Sequence, residues 1–154
     1  MAGVLVDSNL LVLWVVGSVN PERIGTFKRT SNYLKSDFSL LKRVLANYQD
    51  LYTVPHILAE VSNLTDLKDS ERLRARQWLL SMISVLAEVP VTSRQGAGDA
   101  VYLKLGLTDA VIKTAALKQG CAVLTDDHDL YHVLNHSGVE SYNFNHFREL
   151  EYGT

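Results

Sequence analysis

Two short apolar segments of the sequence each run directly into acidic residues. Residues 4–6 are followed by Asp7, and residues 121–125 are followed by an acidic stretch at 126–129. Continuous apolar runs of this kind are typical of strands that are buried on both faces of a parallel sheet. Because open α/β sheets bind ligands at the carboxyl ends of their strands, we expect these acids to share one edge of the sheet.

Two further acids, Glu60 and Asp109, fall in predicted helices. A helix that begins at Pro55 places Glu60 on the same face as Val61, so its carboxylate points along the buried stripe. Burying a lone carboxylate is costly, and either a basic partner or a bound metal ion could keep it ionised. Asp109 stands in the first turn of a helix predicted to begin at Thr108, where the helix dipole alone favours a negative charge.

Together, four short motifs resemble the acidic motifs of the PIN-domain family, in the family's order and over nearly the whole chain. They read VLVDSN at 4–9, PHILAEV at 55–61, GLTDA at 106–110 and VLTDDHDL at 123–130. The resemblance implies a metal-dependent endoribonuclease, of the kind found in RNA processing and as the toxin of toxin–antitoxin pairs. It also implies that four acids hold the metal ions and carry the catalysis: Asp7, Glu60, Asp109 and Asp127.

The resemblance extends to neighbouring residues and to partners. Ser8 and Thr125 match hydroxyl positions that order the carboxylates. Asp126 and Asp129 are further candidate metal ligands, because the position of the family's fourth acid varies. Implied partners are an RNA substrate, a cognate antitoxin protein and a second copy of the chain in a homodimer. Residues 17–50 carry no motif that can be mapped onto the family.

The chemistry of the acids agrees with this interpretation. Carboxylate oxygens are the ligands that Mg²⁺ and Mn²⁺ prefer, and several carboxylates in one cleft repel one another unless cations neutralise them. Such ions can activate a water molecule and stabilise the attacking and leaving oxygens of an in-line phosphodiester displacement. In the absence of metal, we expect the crowded charges to raise one another's pKa values.

Two other groups of side chains allow more than one interpretation. His128, His132 and His136 are spaced four residues apart and would share one helix face, where they could bind zinc or form a solvated surface. Arg72 and Arg76 on a helix predicted at 71–86 could contact RNA phosphates, or they could be ordinary helix surface.

The bulk composition restricts the class of protein. With 154 residues, 47% of them apolar and 21% charged, the sequence predicts one globular domain spanning 1–154. Its net charge of −2 means that any contact with nucleic acid must come from local basic patches or bridging metal ions. Cys121 is the only cysteine, and we identify no signal peptide or membrane-spanning pattern, so we expect a soluble cytoplasmic protein.

The order of apolar patterns predicts an α/β fold. Strand and helix patterns alternate, which indicates a three-layer α/β/α arrangement around a mostly parallel sheet of four to five strands. The predicted strands are 4–6, 51–54, 89–92, 121–125 and an edge strand at 139–144. The predicted helices are 10–16, one or two amphipathic helices within 17–50, 55–64, 71–86 with Ser70 as its N-cap, 97–105, 108–118 with Thr108 as its N-cap and Gly120 after its end, and 130–135.

Two other function classes remain open at this point. A phosphoryl-receiving signalling domain is also a small parallel α/β fold with an acidic edge, but it needs an acceptor aspartate at the end of a middle strand, whereas Glu60 and Asp109 fall within or at the start of predicted helices. A catalytically inactive PIN-like module that binds RNA or protein is the second alternative. The presence of an acid at all four motif positions argues against a loss of metal binding.

Overall fold

The computed structural model describes residues 2–153 and contains a five-stranded sheet in which all neighbouring strands are parallel. Its strand order is β3-β2-β1-β4-β5. The predicted parallel sheet is therefore confirmed, while residues 1 and 154 of the predicted domain lie outside the described range. The strands are β1 (Val4–Val6), β2 (Leu51–Thr53), β3 (Ala87–Glu88), β4 (Ala122–Thr125) and β5 (Ser141–Asn143).

Helices connect the strands and form a layer on each face of the sheet, as the three-layer prediction requires. The helices are α1 (Ser8–Val19), α2 (Lys35–Leu45), α3 (Pro55–Leu64), α4 (Asp69–Val85), α5 (Ser93–Ala97), α6 (Val101–Leu105), α7 (Leu107–Gln119), α8 (His128–His136) and α9 (Phe144–Tyr152). Helix α1 packs against α2, α3 and α4, whereas α7 packs against α5 and α6. Among residues 2–153, no helix has the length and apolar character needed to cross a membrane.

The central strands and α1 form the most deeply buried part of the molecule. Every side chain of β1 and β4 is buried, and so are most of those in α1. A helix that is apolar on all sides is expected to be surrounded by other elements, and α1 packs against three other helices. This packing fixes the residues that follow β1 and β4 in space.

Several predicted boundaries agree with the structure and one strand does not. Helix 55–64 and strand 4–6 have the predicted bounds, and Gly120 ends α7 in a left-handed conformation with φ 68°. The strand predicted at 89–92 is wrong, because β3 is Ala87–Glu88. Val89 and Val91 are buried without belonging to the strand, and Pro90 between them has no N–H to donate to a ladder.

Two predicted helix caps are also wrong. Helix α4 begins at Asp69, one residue before Ser70. Helix α7 begins at Leu107 after Gly106, whose φ of 95° suits glycine. The Thr108 hydroxyl donates a hydrogen bond to a glutamate side chain of another helix instead of capping its own.

The helix predicted at 97–105 is wrong in its first half, because α5 ends at Ala97 and α6 begins only at Val101. Residues 98–100 are not helical, and there the Asp99 side chain accepts a hydrogen bond from the Val101 amide at the start of α6. Helix α9 has no counterpart in the sequence predictions, and α2 accounts for part of the segment 17–50 that carries no motif.

Candidate active site at the carboxyl edge of the sheet

A polar cleft of about 300 Å³ opens at the carboxyl ends of β1 and β4. These strands are neighbours, but the chain passes from β1 toward β2 on one side and from β4 toward β5 on the other. Open α/β sheets bind ligands in the crevice that forms where the strand order reverses in this way. The residues lining the cleft are Asp7, Ser8, Asn9, Glu60, Leu105, Leu107, Thr108, Asp109 and Asp127.

Asp7 lies at the floor of the cleft, directly after the central strand. Its backbone N–H bonds the Leu124 carbonyl at 3.0 Å, which joins the ends of β1 and β4. Its carboxylate accepts hydrogen bonds from the Ser8 amide at 2.7 Å and from the Thr125 hydroxyl at 2.6 Å. The pKa of Asp7 is raised to about 6, mainly by burial and to a smaller extent by the charges of Asp126 and Asp127, while the two hydrogen bonds partly offset the rise.

Asp127 faces the same cleft from the end of β4. Its backbone N–H donates to the Thr125 hydroxyl at 3.0 Å, and this hydroxyl in turn donates to Asp7. One carboxylate oxygen of Asp127 accepts a hydrogen bond from the Leu130 amide at 3.0 Å and so caps α8. Thr125 therefore links the two aspartates through one buried hydroxyl group.

Asp109 and Glu60 complete the acidic lining from the helices. Asp109 occupies the first turn of α7, and burial is the main cause that raises its pKa to about 7. The charges of Asp7, Asp127 and Glu60 add to that shift, in this order. Glu60 is half-buried on α3 and accepts a hydrogen bond from the Thr108 hydroxyl at 3.1 Å. The expected crowding of charge is thus present, but burial has the larger effect on Asp7 and Asp109.

These four carboxylates have no cationic partner among residues 2–153, where none of them forms an ion pair. Lys113, one turn after Asp109 on α7, pairs instead with Asp99 at 2.8 Å. No basic side chain of residues 2–153 therefore neutralises the negative charge of the cleft.

Asp126 and Asp129 have different surroundings from Asp127. The two carboxylate oxygens of Asp126 accept hydrogen bonds from the Asn9 amide group and the Tyr33 hydroxyl, and Asp126 does not line the cleft. Asp129 is exposed on α8, also outside the cleft. Of the 126–129 stretch, only Asp127 lines the cleft with the other three acids, although Asp126 is close enough for its charge to raise the pKa of Asp7.

The two candidate RNA-contacting arginines lie on α4, away from the cleft lining. Arg72 and Arg76 are both exposed, and Arg72 donates a hydrogen bond to the Leu67 carbonyl at 3.3 Å. Neither side chain shares a lining surface with the four acids.

The donor set of the cleft fits a hard divalent cation. Carboxylate oxygens dominate it, and the Ser8 hydroxyl, which also lines the cleft, is buried and has no hydrogen-bond partner among residues 2–153. No three His, Cys, Asp or Glu side chains in the described part of the chain lie close enough together to enclose one ion by themselves. Mg²⁺ commonly keeps several waters and takes only one or two carboxylates, so this spacing is compatible with a hydrated ion.

Sequence reasoning did not assign a role to Asn9 or Tyr33. Asn9 lines the cleft, and its side-chain amide bonds Asp126 at 3.3 Å. Tyr33 reaches Asp126 from the segment that carries no motif, and its ring packs 5.0 Å from the Arg148 guanidinium group. Asn9 was detectable as part of the first motif, whereas no local pattern indicates the contact made by Tyr33.

Comparison with known proteins gives a family match. Residues 31–134, about two thirds of the chain, match the family model of the PIN domain, and this range includes Glu60, Asp109 and Asp127. No curated protein matches the chain. One similar solved structure is a domain of a functionally unknown protein from Methanocaldococcus jannaschii DSM 2661, with 16% identity, a TM-score of 0.48, and coverage of 92% of this chain and 89% of that one. From the extent of the family match we conclude that the chain belongs to the PIN domain family.

Proposed function

We propose that this protein is a Mg²⁺- or Mn²⁺-dependent endoribonuclease that hydrolyses RNA phosphodiester bonds in the acidic cleft. PIN domains are generally nucleases that use divalent metal ions. The observation that supports this activity here is a cleft lined by four carboxylates, none of which forms an ion pair within residues 2–153. Cations would neutralise this charge and at the same time attract the phosphates of a substrate.

In this proposal, four acids hold the metal ions and the surrounding hydroxyl groups position them. A bound ion would supply an activated water and stabilise charge on the scissile phosphate. Thr125 holds Asp7 and the backbone of Asp127 in one arrangement, and Thr108 orients Glu60. The metal-holding acids are Asp7, Glu60, Asp109 and Asp127.

The proposed roles of Asp126 and Asp129 follow from their contacts. Asp126 positions Asn9 and the segment that contains Tyr33, since both of its carboxylate oxygens already accept hydrogen bonds. Asp129 has no role in the cleft, because it is exposed on α8 and outside the lining. Asp129 is consequently a matched control for the acids of the site.

A decisive test is cleavage of a labelled RNA by the purified chain in Mg²⁺ or Mn²⁺. We expect cleavage to stop in EDTA and to return when the metal is restored. Loss of a residue that only hydrogen-bonds to a metal ligand typically lowers activity by roughly 10- to 100-fold. Asp7→Asn should lower the rate by more than this, because Asp7 is proposed to bind the metal directly. Asp129→Asn should keep the parental rate. An Asp7→Asn protein that is folded and fully active would refute the proposed site.

The finer biological proposal is that the enzyme is the cytoplasmic toxin of a toxin–antitoxin pair, acting as a homodimer. It rests only on the likeness of the motifs to the toxin branch of the family. Induced expression should arrest growth of a bacterial host, and Asp7→Asn should abolish the arrest. Cleavage in vitro without any growth defect would leave the nuclease intact and reject the toxin role.

An inactive PIN-like module that binds RNA or protein is favoured by one observation, namely that no three acids in residues 2–153 are close enough to enclose an ion directly. Titration with Mn²⁺ separates the two functions. If the protein is a nuclease, Mn²⁺ should bind to it, and Asp109→Asn should weaken that binding.

The phosphoryl-receiving alternative conflicts with the family match and with the strand order, which is 3-2-1-4-5 here and 2-1-3-4-5 in that class.

A further inference from the structure

The helix that follows the acidic cleft carries two histidines whose ring nitrogens face each other. His128 and His132 lie one turn apart on α8, and their Nε2 atoms are 3.0 Å apart, a hydrogen bond when one ring carries its Nε2 proton; a metal ion bound by both nitrogens would replace that proton. The rings are perpendicular, with centroids separated by 4.3 Å. Both side chains are exposed, so bringing a cation to them requires little desolvation of the protein.

The separation of the two nitrogens matches that of two ligands on one metal ion. With metal–nitrogen bonds of about 2.0–2.1 Å, two imidazoles are about 2.9 Å apart at a right angle and about 3.4 Å apart at a tetrahedral angle. The observed distance of 3.0 Å lies within that range. The same i, i+4 spacing of histidines on a helix is used for zinc in metalloproteases.

The surrounding structure holds this pair in place. Leu130 and Leu134, on the other side of α8, are completely buried, and the Asp127 side chain caps the helix. His136 is directed elsewhere, because its Nδ1 donates a hydrogen bond to the His132 carbonyl at 2.7 Å. The first turn of α8 thus presents two ring nitrogens on an anchored backbone.

We propose that His128 and His132 form a surface site for a borderline divalent metal ion such as Zn²⁺, separate from the acidic cleft. Imidazole nitrogen suits Zn²⁺, Ni²⁺ and Cu²⁺, whereas the carboxylates of the cleft suit Mg²⁺ and Mn²⁺. Water completes the coordination, since no third His, Cys, Asp or Glu of residues 2–153 joins the pair. The site does not depend on the proposed nuclease activity.

Binding at this pair has a structural consequence for the cleft. An ion that joins His128 to His132 bridges the first turn of α8, whose N-cap is Asp127. The same aspartate lines the acidic cleft. Zn²⁺ should therefore stabilise the beginning of α8 and raise the melting temperature in a concentration-dependent way.

The test is calorimetric titration of the full chain with ZnCl₂ in millimolar Mg²⁺, which competes with Zn²⁺ for carboxylate groups. We expect one Zn²⁺ per chain, and His128→Gln and His132→Gln should each weaken binding by roughly 10-fold or more. The increase in melting temperature caused by Zn²⁺ should disappear in both variants. Because both side chains are exposed, the variants should melt like the parent when Zn²⁺ is absent.

Three controls distinguish this site from other zinc-binding groups. His146→Gln changes an exposed histidine on α9, and His136→Gln changes the last histidine of α8, so both should bind Zn²⁺ like the parent. Asp7→Asn should also retain Zn²⁺ binding. The proposal is overturned if His128→Gln and His132→Gln bind Zn²⁺ normally, if Asp7→Asn abolishes binding, or if His136→Gln weakens binding as much as they do.

Discussion

Two buried aspartates show opposite ways of accommodating a negative charge. Asp37, at 0% exposure, accepts hydrogen bonds from the Leu34 amide at 2.7 Å and the Tyr152 hydroxyl at 3.0 Å, and it pairs with Arg148 at 3.0 Å. Asp7, at 6% exposure, receives hydrogen bonds only from uncharged donors within residues 2–153.

The difference distinguishes Asp37, whose carboxylate holds two helices together, from Asp7, whose charge no basic side chain of residues 2–153 balances. The pairing of Asp37 with Arg148 joins α2 to α9, and the guanidinium group also donates to the Asn32 carbonyl and the Asn145 side chain. Breaking a buried ion pair is costly because the remaining charge has no compensation. Asp7 is already buried without a basic partner within residues 2–153, and this burial raises its pKa.

The largest effect on stability is expected when Asp37 loses Arg148, its basic partner. Arg148→Met should lower the free energy of unfolding by roughly 3–5 kcal/mol, because Asp37 would remain buried without a cation. The melting temperature should fall by about 10 °C in a chain of this size. Arg43→Met is the matched control, since Arg43 also joins α2 to α9 through an exposed pair with Glu151, and it should cost less than about 1 kcal/mol. Equal losses in the two variants would contradict the comparison.

An intermediate effect on stability is expected when Asp7 loses the hydrogen bond from Thr125. Thr125→Val keeps the shape of the side chain but removes the hydroxyl that donates to Asp7 and accepts from the Asp127 amide. Unfolding measured in EDTA should show a loss of about 1–3 kcal/mol, and NMR titration should show a further rise in the pKa of Asp7.

Thr53→Val is the control for that variant. Thr53 is equally buried at the end of β2, but among residues 2–153 its hydroxyl hydrogen-bonds only to the Val54 carbonyl, at 3.4 Å. Its replacement should cost clearly less than that of Thr125. If Thr53→Val is as damaging, the loss reflects the strand ends in general and not the link between the two aspartates.

The smallest effect of a single substitution is expected at Asp109, through the pH dependence of stability without metal. The pKa values of about 6 for Asp7 and about 7 for Asp109 lie above the ordinary value of 3.8, so the folded state binds protons first as the pH falls. The contribution of these two groups should therefore rise from pH 7.5 down to about pH 4, where the unfolded chain also becomes protonated. Denaturant titrations in EDTA across this range measure the change.

Asp109→Asn should reduce that pH dependence and stabilise the metal-free protein at pH 7.5 by on the order of 1 kcal/mol. Mg²⁺ should likewise remove the effect in the parent, because it neutralises the cleft. If Asp109→Asn melts at a lower temperature than the parent in EDTA, Asp109 acts mainly as an acid that stabilises the start of α7.

Much of the fold could be predicted from residues that are adjacent in the chain. The apolar runs of β1 and β4 and the proline that begins α3 are local patterns, and the structure has these elements at or within one residue of the predicted bounds. The strand at β3 could not be placed correctly, because Val89 and Val91 carry the same pattern but Pro90 cannot join the ladder. The division between α5 and α6 likewise depends on the side chain of Asp99, which periodicity does not reveal.

By itself, the sequence determined the types and order of the acids and the strands that carry Asp7 and Asp127, since strand periodicity and motif spacing are properties of neighbouring residues. Only the tertiary structure decided which charges have partners. Arg148 lies 111 residues from Asp37 and Tyr33 lies 93 residues from Asp126. Whether such pairs meet depends on the strand order and on how α9 docks against α2, and no local pattern encodes either. The same packing directs Lys113 to Asp99, so that the acids of the cleft have no basic partner among residues 2–153.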